Sequence, residues 1–146
     1  MAELVVTRVV EAPAQQVWDA LTDWSLHDRW MLLTRAEGGS AVGESISAFT
    51  GVGRLGFTDT MTIVVWEPPR RAVVRHTGKV VRGSGAFEVE PLGDRRSRIV
   101  WSEWVTLPFG PLGRLGWPVA KVLLRALVSY SLGRLAGYIE TGRAAP

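Results

Sequence analysis

The chain has 146 residues, 47% of them hydrophobic and 21% charged, which supplies enough apolar surface for one packed core and argues against disorder. Cysteine is absent, so disulfides, thiolate metal sites and cysteine nucleophiles are excluded, in keeping with a reducing cytoplasmic setting. The formal charge of +3 comes from scattered arginines rather than a basic tract, so a nucleic-acid surface is not expected.

Residues 4 to 11 are rich in β-branched side chains and read as a strand. Pro13 then suits a helix start, where no amide donor is needed, and Val17, Trp18 and Leu21 recur at helical spacing. Ser25 and Asp28 have the spacing of a cap for a second short helix containing Trp30. The charged residues Glu3, Arg8, Glu11 and Asp19 break any signal-peptide pattern.

Between residues 38 and 56, glycines divide two strand-like stretches. Gly51-Val-Gly53-Arg-Leu-Gly56 matches a dinucleotide-binding pattern, but the following Phe57-Thr-Asp-Thr-Met-Thr-Ile alternates at period two. A phosphate-binding turn needs a helix there, so a hairpin is expected instead. Turns at 67–70, 78–79 and 92–95 divide residues 54 to 107 into four antiparallel strands. The arginine pairs 70–71 and 95–96 fall at these turns and read as solvated charges.

Residues 113 to 142 read as a long helix with Pro118 near its start. On a helical wheel Arg114, Lys121 and Arg125 share one side, while Val119, Leu123, Ala126, Leu127, Tyr130, Arg134 and Gly137 lie broadly opposite and are expected to face the sheet. Leu124, Val128, Leu132 and Leu135 then form surplus apolar perimeter, suggesting a homodimer or membrane-surface contact. Lys121, Arg125 and Arg134 interrupt the segment, so a membrane span is not expected.

The segment Glu11-Ala-Pro-Ala-Gln-Gln-Val-Trp-Asp-Ala-Leu-Thr-Asp-Trp24, with His27-Asp-Arg-Trp30, resembles the opening of the SRPBCC superfamily, the START-like and polyketide-cyclase-like proteins. Trp66-Glu-Pro-Pro-Arg-Arg71 and Glu90-Pro-Leu-Gly-Asp94 leading to Trp101 resemble its later hairpins, so the likeness extends along nearly the whole chain as a single domain, 1–146. It implies an α+β helix-grip fold: a curved antiparallel sheet around a long C-terminal helix, two short helices after the first strand, and an apolar cavity between sheet and helix.

Strand alternation assigns faces. Phe57, Asp59, Met61, Ile63 and Val65 are expected to point inward, as are Ala72, Val74 and His76, then Phe87 and Val89, and Ile99, Trp101, Glu103, Val105 and Leu107. Asp59, His76 and Glu103 are thus ionisable groups on an apolar face, where an unpartnered charge costs several kcal/mol. They either orient a ligand or act as acids and bases, or else sit at the cavity mouth, pair with Arg134 or Tyr130, or reflect a register slip.

A hairpin register placing Val65 opposite Ala72 sets Met61 opposite His76 and Asp59 diagonal to the imidazole. Glu103 falls opposite Gly85, on the order of 10 Å or more from His76, so a compact triad is not expected. No nucleophile stands beside His76, and two histidines without ligand spacing imply no metal; no cofactor is implied either.

Trp18, Trp24 and Trp30 are expected to seal one end of the cavity. Phe57, Met61, Phe87, Trp101, Leu123 and Leu127 would supply apolar contact, and Arg134 or Tyr130 would hold an oxygen head group. Three functions follow from this reading: binding of a lipid, polyketide or quinone-like molecule; polyketide cyclisation, aromatisation or dehydration with acid–base groups of the cavity; and partner regulation through the outside of the last helix.

Overall fold

The computed structural model describes residues 2–79, 81–106 and 110–142. The expected inward Leu107 lies outside that description.

Among the described residues, seven strands form one antiparallel sheet: β1 (Ala2–Val10), β2 (Thr34–Gly38), β3 (Ser45–Val52), β4 (Leu55–Glu67), β5 (Arg71–His76), β6 (Gly83–Pro91) and β7 (Ser97–Val105). Their spatial order is β1-β7-β6-β5-β4-β3-β2, so every pair except β1–β7 joins neighbours in sequence. Helix α1 (Ala14–Leu21) follows β1, then a short 3-10 turn (Trp24–Leu26) and α2 (His27–Trp30); the long α3 (Pro111–Thr141) closes the chain. This is the helix-grip arrangement.

Local chemistry explains the early helices. Pro13 precedes α1 with extended backbone, and its carbonyl accepts from the Val17 amide at 3.1 Å. Ser25 and Asp28 do not cap α2. Helix α2 has no side-chain cap; Asp23 instead caps the 3-10 turn before it, its carboxylate accepting from the Ser25 amide at 3.1 Å. The Gly51–Gly56 motif is the tight β3–β4 hairpin: Gly53 has φ +61 at the turn, and a Cβ at Gly56 would meet the Thr50 carbonyl.

The β4–β5 register departs from expectation next to its turn and agrees farther out. Val65 pairs with Val73 and Trp66 with Ala72, but a bulge between Ile63 and Val65 absorbs one residue, restoring Met61 opposite His76. The bulge also reverses the facing of the strand. Beyond it, Trp66 rather than Val65 joins the core, edge-on to Trp18 at 5.2 Å.

Helix α3 sits rotated by nearly half a turn from the wheel-based expectation. Leu132 and Leu135 are fully buried and Val128 packs against the core, whereas Leu123 is 66% and Val119 67% exposed and Tyr130 also faces out. The reason is that α3 is apolar nearly all round, so its cations set the apparent polarity. Arg125 misleads in this way: its guanidinium reaches back to donate to the Val5 carbonyl on β1 at 2.9 Å. A dimer contact through Leu132 and Leu135 therefore has no surface to use. The apolar stripe left exposed is Leu112, Leu115, Val119, Val122 and Leu123. Among the described residues no helix is long and apolar enough to cross a membrane.

Candidate functional site

The concave face of the sheet and the inner face of α3 enclose a hollow of about 300 Å³. Its apolar wall includes Ile46, Met61, Phe87, Trp101, Leu127 and Val128. Aromatic side chains stiffen one end: Phe87 stacks on Trp101 at 6.0 Å, and Trp24 lies 6.5 Å from Phe87. Trp24 and Trp101 touch the hollow, while Trp18 and Trp30 are buried core. Large rigid rings of this kind resist collapse of the space between sheet and helix.

Asp59, His76 and Glu103 all line this hollow, and they touch. His76 Nδ1 is 3.0 Å from Asp59 Oδ1, and His76 Nε2 is 3.0 Å from Glu103 Oε2. The Asp59 contact is the expected diagonal one. The Glu103 contact overturns the expected separation, although the register was as anticipated, with Glu103 opposite Gly85. Backbone spacing across two strands is large, but an imidazole and a glutamate side chain reaching toward one another span it.

They meet because the strand between them is bare. His76 pairs with Gly83 and Glu103 with Gly85, so β6 offers no inward side chain at either position. A Cβ at Gly85 would stand 2.9 Å from Glu103 Oε2 and 3.1 Å from its Cδ. Sequence reasoning placed Gly85 opposite Glu103 and passed over its role in the site. The Gly83-Ser-Gly85 alternation, at the strand period and facing a histidine, was the available signal.

Burial disfavours the charged form of His76, but hydrogen bonds to Asp59 and Glu103, with the charges of both, outweigh it and raise its pKa to about 9. That direction favours a protonated ring at neutral pH. His27, also on the cavity wall, goes the other way: burial pushes its pKa down to about 4 against the hydrogen bond to the Leu21 carbonyl at 3.1 Å. In that neutral ring Nε2–H donates to the carbonyl. Thr34, Thr50 and Ser131 also border the hollow, and none had been anticipated. Thr34 Oγ1 donates to the Leu32 carbonyl, and Ser131 Oγ accepts from the Leu32 amide.

Phe57 lies at the rim, 38% exposed. The rotation of α3 removes three expected positions from the wall: Leu123 and Tyr130 point outward, and Arg134 is not among the lining residues. The Arg134 guanidinium donates to the Arg29 carbonyl at 3.1 Å and lies beside the Tyr130 ring. Leu124, Val128 and Trp117 take the vacated places. Among the described residues no cluster of three or more His, Asp or Glu side chains has the arrangement of a metal site.

No curated protein sequence matches the chain. Among solved structures, the protein TTHA0849 from Thermus thermophilus superposes with a TM-score of 0.79 at 16% identity, covering 97% of this chain and 99% of that one. The Zhui aromatase/cyclase from Streptomyces sp. R1128 gives 0.73 at 22% identity, covering 98% and 96%. The di-domain ARO/CYC BexL of the BE-7585A biosynthetic pathway gives 0.70 at 17% identity, covering 92% of this chain and 47% of that one. These likenesses agree with the fold, and the model of the family described as polyketide cyclase/dehydrase and lipid transport matches residues 1–140, so the chain belongs to that family.

Proposed function

We propose that the protein binds an apolar small molecule in the hollow between the sheet and α3. The observation that carries this reading is the hollow itself, about 300 Å³ of space walled chiefly by aliphatic and aromatic side chains. Desolvating an apolar guest there gains roughly 25 cal/mol per Å² of apolar surface removed from water. The family description, which includes lipid transport, supports the same reading. Solvent extraction of freshly purified protein followed by mass spectrometry is expected to yield an apolar molecule. Ala48→Trp, which fills the hollow from β3, is expected to abolish its retention. A folded parent protein that retains no such molecule and takes up no neutral dye such as Nile red overturns the proposal.

The linked Asp59, His76 and Glu103 favour one second reading, cyclisation or dehydration of a polyketide-like substrate, an activity class that the family description names. Both nitrogens of His76 are engaged, so the base that removes a proton next to a carbonyl would be a carboxylate, with the imidazolium holding it in place. Exchange of solvent deuterium into the α position of a simple aryl ketone is expected to run faster than in buffer alone with the parent protein and at the buffer rate with Asp59→Asn. Equal exchange by a folded Asp59→Asn variant counts against this reading for Asp59.

A further inference from the structure

We propose that the hollow selects guests carrying an O–H or N–H donor, alcohols, phenols or amines, and rejects carboxylates and phosphates of the same shape. The proposal rests on the small-molecule reading above and specifies the chemistry of the guest.

The first ground is proton counting. A neutral imidazole has one N–H, yet both ring nitrogens of His76 lie 3.0 Å from a carboxyl oxygen. Two hydrogen bonds therefore need one more proton, either on the ring or on a carboxyl group. With the proton in either place the trio carries one net negative charge.

The second ground is what the trio shows to a guest. The His76 side chain is only 4% exposed, against 16% for Asp59 and 22% for Glu103. A guest meets carboxyl oxygens, not the ring. Each carboxyl group spends one oxygen on His76 and keeps the other, so the trio offers acceptors and no free donor.

The third ground is the rest of the wall. Among the described lining residues there is no lysine or arginine, and the one arginine expected there, Arg134, donates instead to the Arg29 carbonyl. His27 uses its Nε2–H on the Leu21 carbonyl. An anion buried in this hollow would face the trio's net negative charge, any positive charge on His76 being already held between the two carboxyl groups, whereas a hydroxyl or ammonium group finds unused acceptors.

Isothermal titration calorimetry at pH 7 with three probes of one ring system, 2-naphthol, 2-naphthylmethylamine and 2-naphthoate, tests this. The naphthol and the amine are expected to bind, and the naphthoate at least about tenfold more weakly than the naphthol. In a D59N/E103Q double variant, checked for folding by circular dichroism, that gap is expected to close to within about threefold. Naphthoate binding within about threefold of naphthol in the parent protein overturns the donor selection and leaves the apolar hollow standing. A gap that persists unchanged in the folded double variant also overturns it, since the discrimination then arises elsewhere. Heat from none of the three overturns both this proposal and the reading beneath it.

Discussion

The carboxyl group of Glu103 lies over Gly85, with Oε2 2.9 Å from the point where a Cβ would stand. A glycine on β6 is thus what allows a side chain of β7 to reach a histidine on β5.

Gly85→Ala is accordingly expected to push Glu103 away from His76 while the sheet stays intact, because the new methyl group meets a side chain rather than backbone. Losing one of its two carboxylate partners lowers the His76 pKa from about 9 by on the order of one unit. A pH titration of the imidazole proton resonances checks this, with Glu103→Gln as the reference. An unchanged titration in the alanine variant means that the glycine is not what admits the carboxylate.

The two histidines set opposite limbs of the stability curve. The folded-state pKa of His76, about 9, exceeds the ordinary 6.5, so its contribution is complete below pH 6.5 and is lost as pH rises through 9. The His27 value, about 4, lies below 6.5, so its contribution is complete above pH 6.5 and is lost as pH falls through 4. Each limb has a slope of about 1.4 kcal/mol per pH unit, and they meet near pH 6.5. Urea unfolding across pH 4 to 9 is expected to peak there, with His76→Gln flattening the alkaline limb and His27→Phe the acid one. An alkaline limb that survives His76→Gln contradicts the assignment.

The facing of α3 is open to a direct comparison. Leu132→Ala removes a fully buried side chain and is expected to cost about 2–5 kcal/mol, whereas Leu123→Ala, on the solvent side, is expected to cost within about 0.5 kcal/mol. Chemical denaturation measures both. Equal losses would mean that α3 is not oriented as described.

Ser97 tests a buried polar tie. Its hydroxyl donates to the Ala12 carbonyl at 2.8 Å, pinning the start of β7 to the β1–α1 connection. Ser97→Ala is expected to cost about 1–3 kcal/mol because the Ala12 carbonyl loses its donor in a buried place. Thermal unfolding of the variant at pH 7 provides the measure, and an unshifted midpoint would show that water replaces the hydroxyl.

The strands were legible in the sequence because period-two alternation and paired turn residues are local signals. Asp59, Met61 and His76 could be brought together from the Glu67–Arg70 turn alone. The bulge beside Val64 was not legible, since nothing in Ile63-Val64-Val65 distinguishes a bulged residue from a paired one. The orientation of α3 was hidden for a different reason: leucines and valines occupy both of its sides, so periodicity carried no preference and only tertiary packing chose one. The Glu103–His76 contact escaped because it depends on a missing side chain between two strands that are not neighbours.

Pro118 lies inside α3 and has no N–H to return to the carbonyl of Arg114, so the rod lacks a rung just after its second turn. Trp117, immediately before that gap, forms part of the cavity wall. With that rung missing, the opening turns of α3 bend at lower cost than the turns that follow. Pro118→Ala restores the rung and stiffens the wall at Trp117, and is expected to slow both uptake and release of Nile red in stopped-flow measurements while leaving their ratio nearly unchanged; rates equal to those of the parent would mean that guests do not pass these turns.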